Sequence, residues 1–136
     1  MEGMPPLRCY HPYQMEETEM ERREADGTVL VLDADTLGRG NDDLGAQLVV
    51  NFLRTIAFRD EVPGAVVCYN TGVKLAEQGS PAVPMLEALA QKGAEIVLCG
   101  TCVNFFNLAD RLAIGRVGNM QEIVDLLMKG QRTIYV

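Results

Sequence analysis

Three short runs of consecutive apolar residues predict strands. They are TVLVLD at 28–33, AVVCYN at 65–70 and AEIVLC at 94–99. Continuous runs of this length are typical of strands buried on both faces, as in a parallel sheet. Two weaker stretches, around 114–117 and at the C-terminal RTIYV, predict a fourth and a fifth strand.

The interval after the first strand has the periodicity of an amphipathic helix. This helix is expected to span roughly 43–57, with Asn41 or Asp42 as its N-cap and one apolar face turned inward. The predicted inward face comprises Leu44, Leu48, Phe52 and Ile56, with Val49 and Leu53 beside it.

Local signals set the ends of three further helices. Ser80–Pro81 predicts a helix start, with serine as N-cap and proline in the first turn, and Gly93 ends that helix. Another helix is expected over 103–112. NMQE at 119–122 resembles a capping box and opens a last helix that stops at Gly130.

The alternation of strands and helices predicts an α/β fold of three layers, α/β/α, around a mainly parallel five-stranded sheet. Residues 28–136 are assigned to this domain. Residues 1–27 hold three prolines and an acidic stretch without an apolar face, and they are predicted to form a mobile N-terminal arm.

Three polar loops follow the first three predicted strands. They are DTLGRG after the first, YNTGVK after the second and CGTC after the third. Parallel sheets bind their ligands beyond the carboxyl ends of the strands, so we expect these loops to converge on one site.

The charge and hydropathy of the chain argue against nucleic acid and membranes as partners. The net charge is −7 and 48% of the residues are hydrophobic. A chain with no basic field is a poor binder of nucleic acid. No apolar run is long enough to span a bilayer and the N-terminus lacks a signal-peptide pattern, so we expect a cytoplasmic protein without membrane contact.

Cysteines carry the candidate chemistry, because cytoplasmic thiols stay reduced. Cys68, inside a strand, is interpreted as a core residue. Cys99 ends the third strand, whereas Cys102 is placed at a helix start, where the dipole and free N–H groups lower a thiol pKa. Gly100 and Thr101 between them allow a tight turn that exposes the Cys102 sulfur.

Other sites are weakly supported by the sequence. A zinc site would need a second ligand pair, which is missing, so no metal is predicted. No cofactor is predicted either, since the loop after the first strand lacks a phosphate-binding pattern. Arg39 is a candidate anion contact, and Lys74 would lower the pKa of a nearby thiol if it pointed into the site.

Several strings in this order resemble a known family. DTLGRGNDDLGAQLVVNFL, YNTGVKLAEQGSP and GAEIVLCGTCVNFFNLADRLAIGRVGNMQEIV are similar to the DsrE/DsrF-like domain of YedF-type sulfurtransferase-like proteins, which are linked to selenium metabolism. The resemblance covers about residues 28–136. It implies a DsrE-like α/β/α fold, and a cysteine after the third strand that carries a persulfide in sulfur-relay relatives.

The resemblance also assigns residues. Cys102 matches the sulfur-carrying cysteine, Cys99 completes the CGTC string, and Asn70, Gly72 and Lys74 belong to N-x-G-V-K. It implies a homo-oligomer (dimer, trimer or hexamer) and a sulfur donor or acceptor protein, with a TusA-like protein as a candidate. YedF-type proteins carry an N-terminal TusA-like domain, for which the 27 preceding residues are too few.

Three functions are compatible with the sequence. The first is a sulfur or selenium relay, sulfurtransferase-like, with a persulfide on Cys102. The second is a thiol–disulfide oxidoreductase that uses both thiols of the C-x-x-C pair. The third is a non-catalytic oligomeric binding module whose cysteines are packed away. The sequence does not establish that the protein is an enzyme.

Overall fold

A computed structural model describes residues 25–136 of the chain. The predicted arm, apart from its last three residues, lies outside the described residues. Within them, no helix combines the length and the apolar character that crossing a membrane requires.

The five predicted strands form one fully parallel sheet, which confirms the predicted α/β class. Its spatial order is β4-β3-β2-β1-β5. The strands are β1 (Ala25–Leu32), β2 (Val62–Cys68), β3 (Glu95–Cys99), β4 (Arg116–Gly118) and β5 (Arg132–Tyr135). β1 begins earlier than expected, because Ala25 and Asp26 already pair with Val62 and Pro63 of β2.

Four α-helices and one 3₁₀ helix connect the strands. They are α1 (Asp42–Ala57), the 3₁₀ helix (Asn70–Ala76), α2 (Val83–Gln91), α3 (Gly100–Phe105) and α4 (Met120–Lys129). The Asn41 side chain accepts from the N–H of Leu44, and the Asn119 side chain accepts from the N–H of Glu122, so both predicted asparagine caps are confirmed.

Two predicted details near helix starts are wrong. α2 begins after an Ala82 N-cap, because Ser80 accepts a hydrogen bond from the Ala82 N–H and forms a turn ahead of the helix. The Glu122 side chain forms an ion pair with Arg116 and so does not complete a capping box.

α3 is much shorter than the predicted 103–112. Asn107, with φ of +56°, adopts the left-handed conformation that stops the helix. The Asn107 N–H bonds to the carbonyl of Asn104, and the Leu108 N–H bonds to the carbonyl of Val103. This pair of bonds is a Schellman motif, in which asparagine takes the place usually held by glycine.

The sheet separates two apolar layers. On one face, α1 and α2 cover residues of β1, β2 and β3, including Leu30, Val66 and Leu98. On the opposite face, α4 packs Ile123 against Val31, Val67 and other side chains of the same strands. The carboxyl ends of the strands lie between these layers and expose the loops that carry the candidate residues.

α1 is rotated relative to its predicted orientation. Its buried residues are Gly45, Val49, Leu53 and Ala57, whereas Leu44 and Leu48 of the predicted face are exposed. A Cβ at Gly45 would lie 2.8 Å from the Cβ of Thr36, so the glycine must face the loop after β1 for the helix to approach it. The close approach at Gly45 therefore determines which face of α1 is buried, although the predicted face carries larger side chains.

Candidate functional site

The end of β3 places two cysteines at the carboxyl edge of the sheet. Cys99 is the last residue of β3 and the N-cap of α3, and its side chain is 2% exposed. Cys102 is the third residue of α3, half-buried, and packs against both apolar layers. A spacing of three residues on a helix places two side chains on the same face, so these thiols are neighbours.

Asn70 supplies a contact from the neighbouring loop. Its main-chain N–H donates to the Cys102 sulfur at 3.0 Å. Asn70 has φ of +52°, a left-handed conformation that asparagine tolerates better than most residues. Its own side chain accepts from the Thr71 N–H at 2.9 Å. The residue therefore reaches the sulfur through its backbone, and its side chain stabilises the turn.

The pKa of Cys102 is raised above its ordinary value, contrary to the expected lowering at a helix start. Burial is the main cause, and a side-chain hydrogen bond with Cys99 adds to it, while the Asn70 N–H opposes both. The thiol is thus mostly protonated near neutral pH. The third described cysteine, Cys68, is free and fully buried, and burial raises its pKa to about 12.

Of the two candidate cations, Lys74 lies beside an aromatic ring and Arg39 lies in an exposed loop. The Lys74 ammonium lies 4.6 Å from the centre of the Phe106 ring, a cation–π contact. Lys74 is not among the groups that shift the pKa of Cys102. Arg39 is exposed in the loop after β1, and no described contact connects it with the cysteines.

Gly100 and Thr101 open α3, where Gly100 faces Val117 of β4 and Thr101 is exposed. Gly72 is buried, and a Cβ there would lie 2.1 Å from the carbonyl oxygen of Leu32. Its role in this structure is to bring the 3₁₀ helix onto the end of β1, which holds Asn70 near Cys102.

Gly72→Ala should therefore destabilise the domain by about 1–3 kcal/mol or more, since the added carbon meets backbone that cannot move independently. Chemical denaturation measures the change. Gly100→Ala is the control, because its Cβ would meet the Val117 side chain at 3.1 Å, which can adjust. Equal losses for the two variants would contradict a special packing role for Gly72.

Tyr69 is a site neighbour that the sequence did not single out. It is half-buried and packs against the same cluster as Cys99 and Cys102. Burial is the main cause that raises the pKa of Tyr69, and the nearby Tyr135 and Asp33 raise it further. The phenol therefore stays protonated and remains a hydrogen-bond donor. The available signal in the sequence was its position, at the end of the second predicted strand and the start of the YNTGVK loop. No neighbouring residue in the sequence indicated that Tyr69 packs near the cysteines.

Two open grooves of the domain lie away from the cysteine pair. One open groove, about 490 Å³, follows the amino ends of the strands under α4 and includes Glu95. Another, about 430 Å³, lies between α1 and the 3₁₀ helix and includes Asp35, Lys74 and Glu77. Neither groove is lined by a cysteine.

A family model and several solved structures are similar to this chain. A model of the DsrE/DsrF-like family matches residues 44–136. No curated protein is similar enough to count as a match. The structure of a protein of unknown function, MTH1491, from Methanobacterium thermoautotrophicum has a TM-score of 0.59 at 21% identity, covering 80% of this chain and 97% of its own.

Two further solved structures have the same fold. The ychN protein from E. coli has a TM-score of 0.56 at 16% identity, covering 80% of this chain and 97% of its own. A conserved protein of unknown function, BT1422, from Bacteroides thetaiotaomicron has a TM-score of 0.56 at 15% identity, covering 86% and 98%. These structural similarities establish the fold. The chemistry has to be inferred from the residues of this chain.

Proposed function

Because this chain belongs to the DsrE/DsrF-like family, we propose that it is a sulfur-relay protein that carries a persulfide on Cys102. The observation that carries the proposal is the setting of this thiol. Among the described cysteines, only Cys102 is partly exposed, and it receives the Asn70 N–H at 3.0 Å. That donor stabilises a sulfur anion, which is the form in which sulfur is accepted and transferred.

The transfer is an exchange between sulfur atoms. The Cys102 thiolate attacks the outer sulfur of a donor persulfide, a new S–S bond forms, and the donor leaves as a thiolate. In the second step, the thiolate of an acceptor attacks the outer sulfur and releases Cys102. Both steps conserve the oxidation state of the sulfur, so no external oxidant or reductant is required.

The donor and acceptor are proposed to be proteins, with a TusA-like protein as one candidate. Cys102 is half-buried, so a partner's surface can reach the exposed part of this thiol and shield the carried sulfur. Reduced thiols are maintained in the cytoplasm, which is the proposed compartment. The resemblance to the YedF-type branch extends the proposal to selenium, which has the same exchange chemistry.

Sulfur loading tests the proposal directly. The reduced full chain is incubated with a low-molecular-weight persulfide donor, and its intact mass is measured before and after a reductant is added. We expect a reversible gain of one sulfur atom, located on the Cys102 peptide by mapping. No gain, or a gain located only on other cysteines, would refute the assignment.

A thiol–disulfide oxidoreductase is the second candidate, favoured by the contact between Cys99 and Cys102. In that case the pair would cycle with a dithiol substrate and hold no persulfide. An insulin-reduction or scrambled-substrate assay with a physiological reductant would show turnover, and the loading experiment would show no added sulfur.

The domain is also proposed to form homo-oligomers. Phe105 is 77% exposed, and α4 presents Met120, Val124 and Met128 on one outer face, with 56, 45 and 79% exposure. Apolar side chains at this spacing form a stripe that a second copy can cover.

Light scattering at micromolar concentration should give a mass above that of the monomer. Val124→Lys is expected to lower that mass because it places a charge in the stripe, whereas Gln121→Lys, at an exposed polar position of the same helix, should not. A monomer mass for the unmodified chain would remove the proposed assembly.

A further inference from the structure

We propose that Cys99 is an internal resolving thiol, which releases the sulfur carried on Cys102 as sulfide when no acceptor arrives. This inference rests on the proposed persulfide on Cys102 and adds a second route for its removal. It gives the domain a sulfide-releasing activity in addition to relay.

The two thiols are placed for reaction with each other. Cys99 is the N-cap of α3 and Cys102 its third residue, so both side chains lie on one face of the first helical turn. Cys102 packs against the apolar cluster that contains Cys99, and both thiols are free. Cysteines separated by two residues at a helix start are close enough for a disulfide to form with small local adjustments.

The direction of attack follows from burial. Cys99 lies in the apolar cluster with the fully buried Val67 and Val97, whereas Cys102 is half-buried and is approached by the Asn70 N–H. Cys99 therefore meets Cys102 from the interior of the domain, where an acceptor protein cannot enter, and the sulfur within its reach is the one that belongs to Cys102.

The reaction balances without a further reactant. The Cys99 sulfur attacks the Cys102 sulfur, the Cys99–Cys102 disulfide forms, and the bond to the outer sulfur breaks. The outer sulfur leaves with the electron pair of the broken bond and takes up the Cys99 proton, so that the persulfide anion releases HS⁻ and the protonated persulfide releases H₂S. The two cysteine sulfurs are oxidised to the disulfide, and the outer sulfur is reduced to sulfide. A dithiol reductant is then needed to restore the two thiols.

An acceptor thiol and Cys99 compete for the same persulfide but attack different sulfurs. The acceptor attacks the exposed outer sulfur and receives it, whereas Cys99 attacks the inner sulfur from within the domain. The presence of an acceptor therefore decides whether the sulfur is transferred or released. A chain that has released sulfide is oxidised and cannot be reloaded until it is reduced.

The test follows the decay of the loaded full chain. The chain is loaded with a low-molecular-weight persulfide without oxygen, the donor is removed, and intact mass and free sulfide are measured over time. We expect sulfide to appear in step with loss of the persulfide, leaving a chain two hydrogens lighter than the reduced form. Peptide mapping should locate the linkage between Cys99 and Cys102.

Cys99→Ser, compared with the unmodified chain at equal initial loading, should keep its persulfide at least about tenfold longer, because the preorganised nucleophile is absent. Cys68→Ala is the control, since Cys68 lies in the other apolar layer, and its persulfide should decay as in the unmodified chain. Equal decay in Cys99→Ser, or sulfide release without the disulfide, would overturn the inference.

The loading step separates this inference from the proposed function. If the unmodified chain takes up no sulfur on Cys102, the proposed function and the inference both fail. If it loads but holds the persulfide as long as Cys99→Ser does, only the inference fails, and Cys99 is a packing neighbour of a stable sulfur carrier.

Discussion

Cys102→Ser should reduce persulfide uptake by the described cysteines to background. A hydroxyl cannot form the S–S bond, and the remaining described thiols are poorly placed to replace Cys102, because Cys68 and Cys99 are buried. Persulfide loading of the full chain is measured by intact mass, or with a donor labelled with sulfur-34, at the same donor concentration for each variant. Serine has nearly the size of cysteine, so the contact from the Asn70 N–H and the packing of α3 should be retained.

Two variants control this result. Cys99→Ser and Cys68→Ala should both retain loading, since each leaves the Cys102 thiol and its N–H donor in place. Undiminished loading of Cys102→Ser, together with loss in Cys99→Ser, would move the sulfur carrier to Cys99. Circular dichroism of each variant distinguishes a lost nucleophile from a lost fold.

The raised pKa of Cys102 gives this thiol a specific pH dependence. At neutral pH the protonated form dominates, so alkylation by limiting iodoacetamide should be slower than that of an unperturbed cysteine. Its rate should rise by about tenfold per pH unit as the thiolate fraction increases, and continue to rise beyond the ordinary value of 9.0. A plateau below that value would show that the helix start dominates over burial.

The arrangement of strands was predictable because its signals are local. Continuous apolar runs indicate buried parallel strands, and asparagine before a polar first turn indicates a helix start, as at Asn41 and Asn119. The neighbouring positions of Cys99 and Cys102 also follow from a strand, two intervening residues and a helix. These features depend on residues close together in the chain.

The features that sequence reasoning missed depend on distant contacts. α1 turned Gly45 inward because Thr36 requires close approach, which periodicity alone cannot reveal. The pKa of Cys102 rose because packing of several elements removes water from it, an effect that outweighs the helix start. The early end of α3 is a partial exception, since asparagine at 107 was a local signal for a left-handed residue.

The stability of the domain should fall steeply at alkaline pH because of Cys68. This residue ends β2, is fully buried in the layer under α1 and α2, and has a pKa raised by burial from 9.0 to about 12. Above about pH 9 the unfolded chain releases this proton while the folded chain retains it. The folded state then binds more protons than the unfolded state, so the free energy of unfolding decreases as pH rises.

The loss amounts to about 1.4 kcal/mol per pH unit and totals on the order of 4 kcal/mol near pH 12, while the contribution is fully present below about pH 8. Urea unfolding between about pH 7 and pH 11 measures it by comparing the unmodified chain with Cys68→Ala. The variant should be less stable at pH 7, because truncating a buried side chain leaves a cavity, but it should lose less stability with pH.

The stability difference between the two chains should therefore shrink as pH rises and can change sign. Val66→Ala is the matched control, because Val66 is fully buried in the same strand and layer but does not titrate. Its stability difference from the unmodified chain should stay constant with pH. A constant difference for Cys68→Ala as well would show that the pKa of the Cys68 thiol is not raised in the folded state.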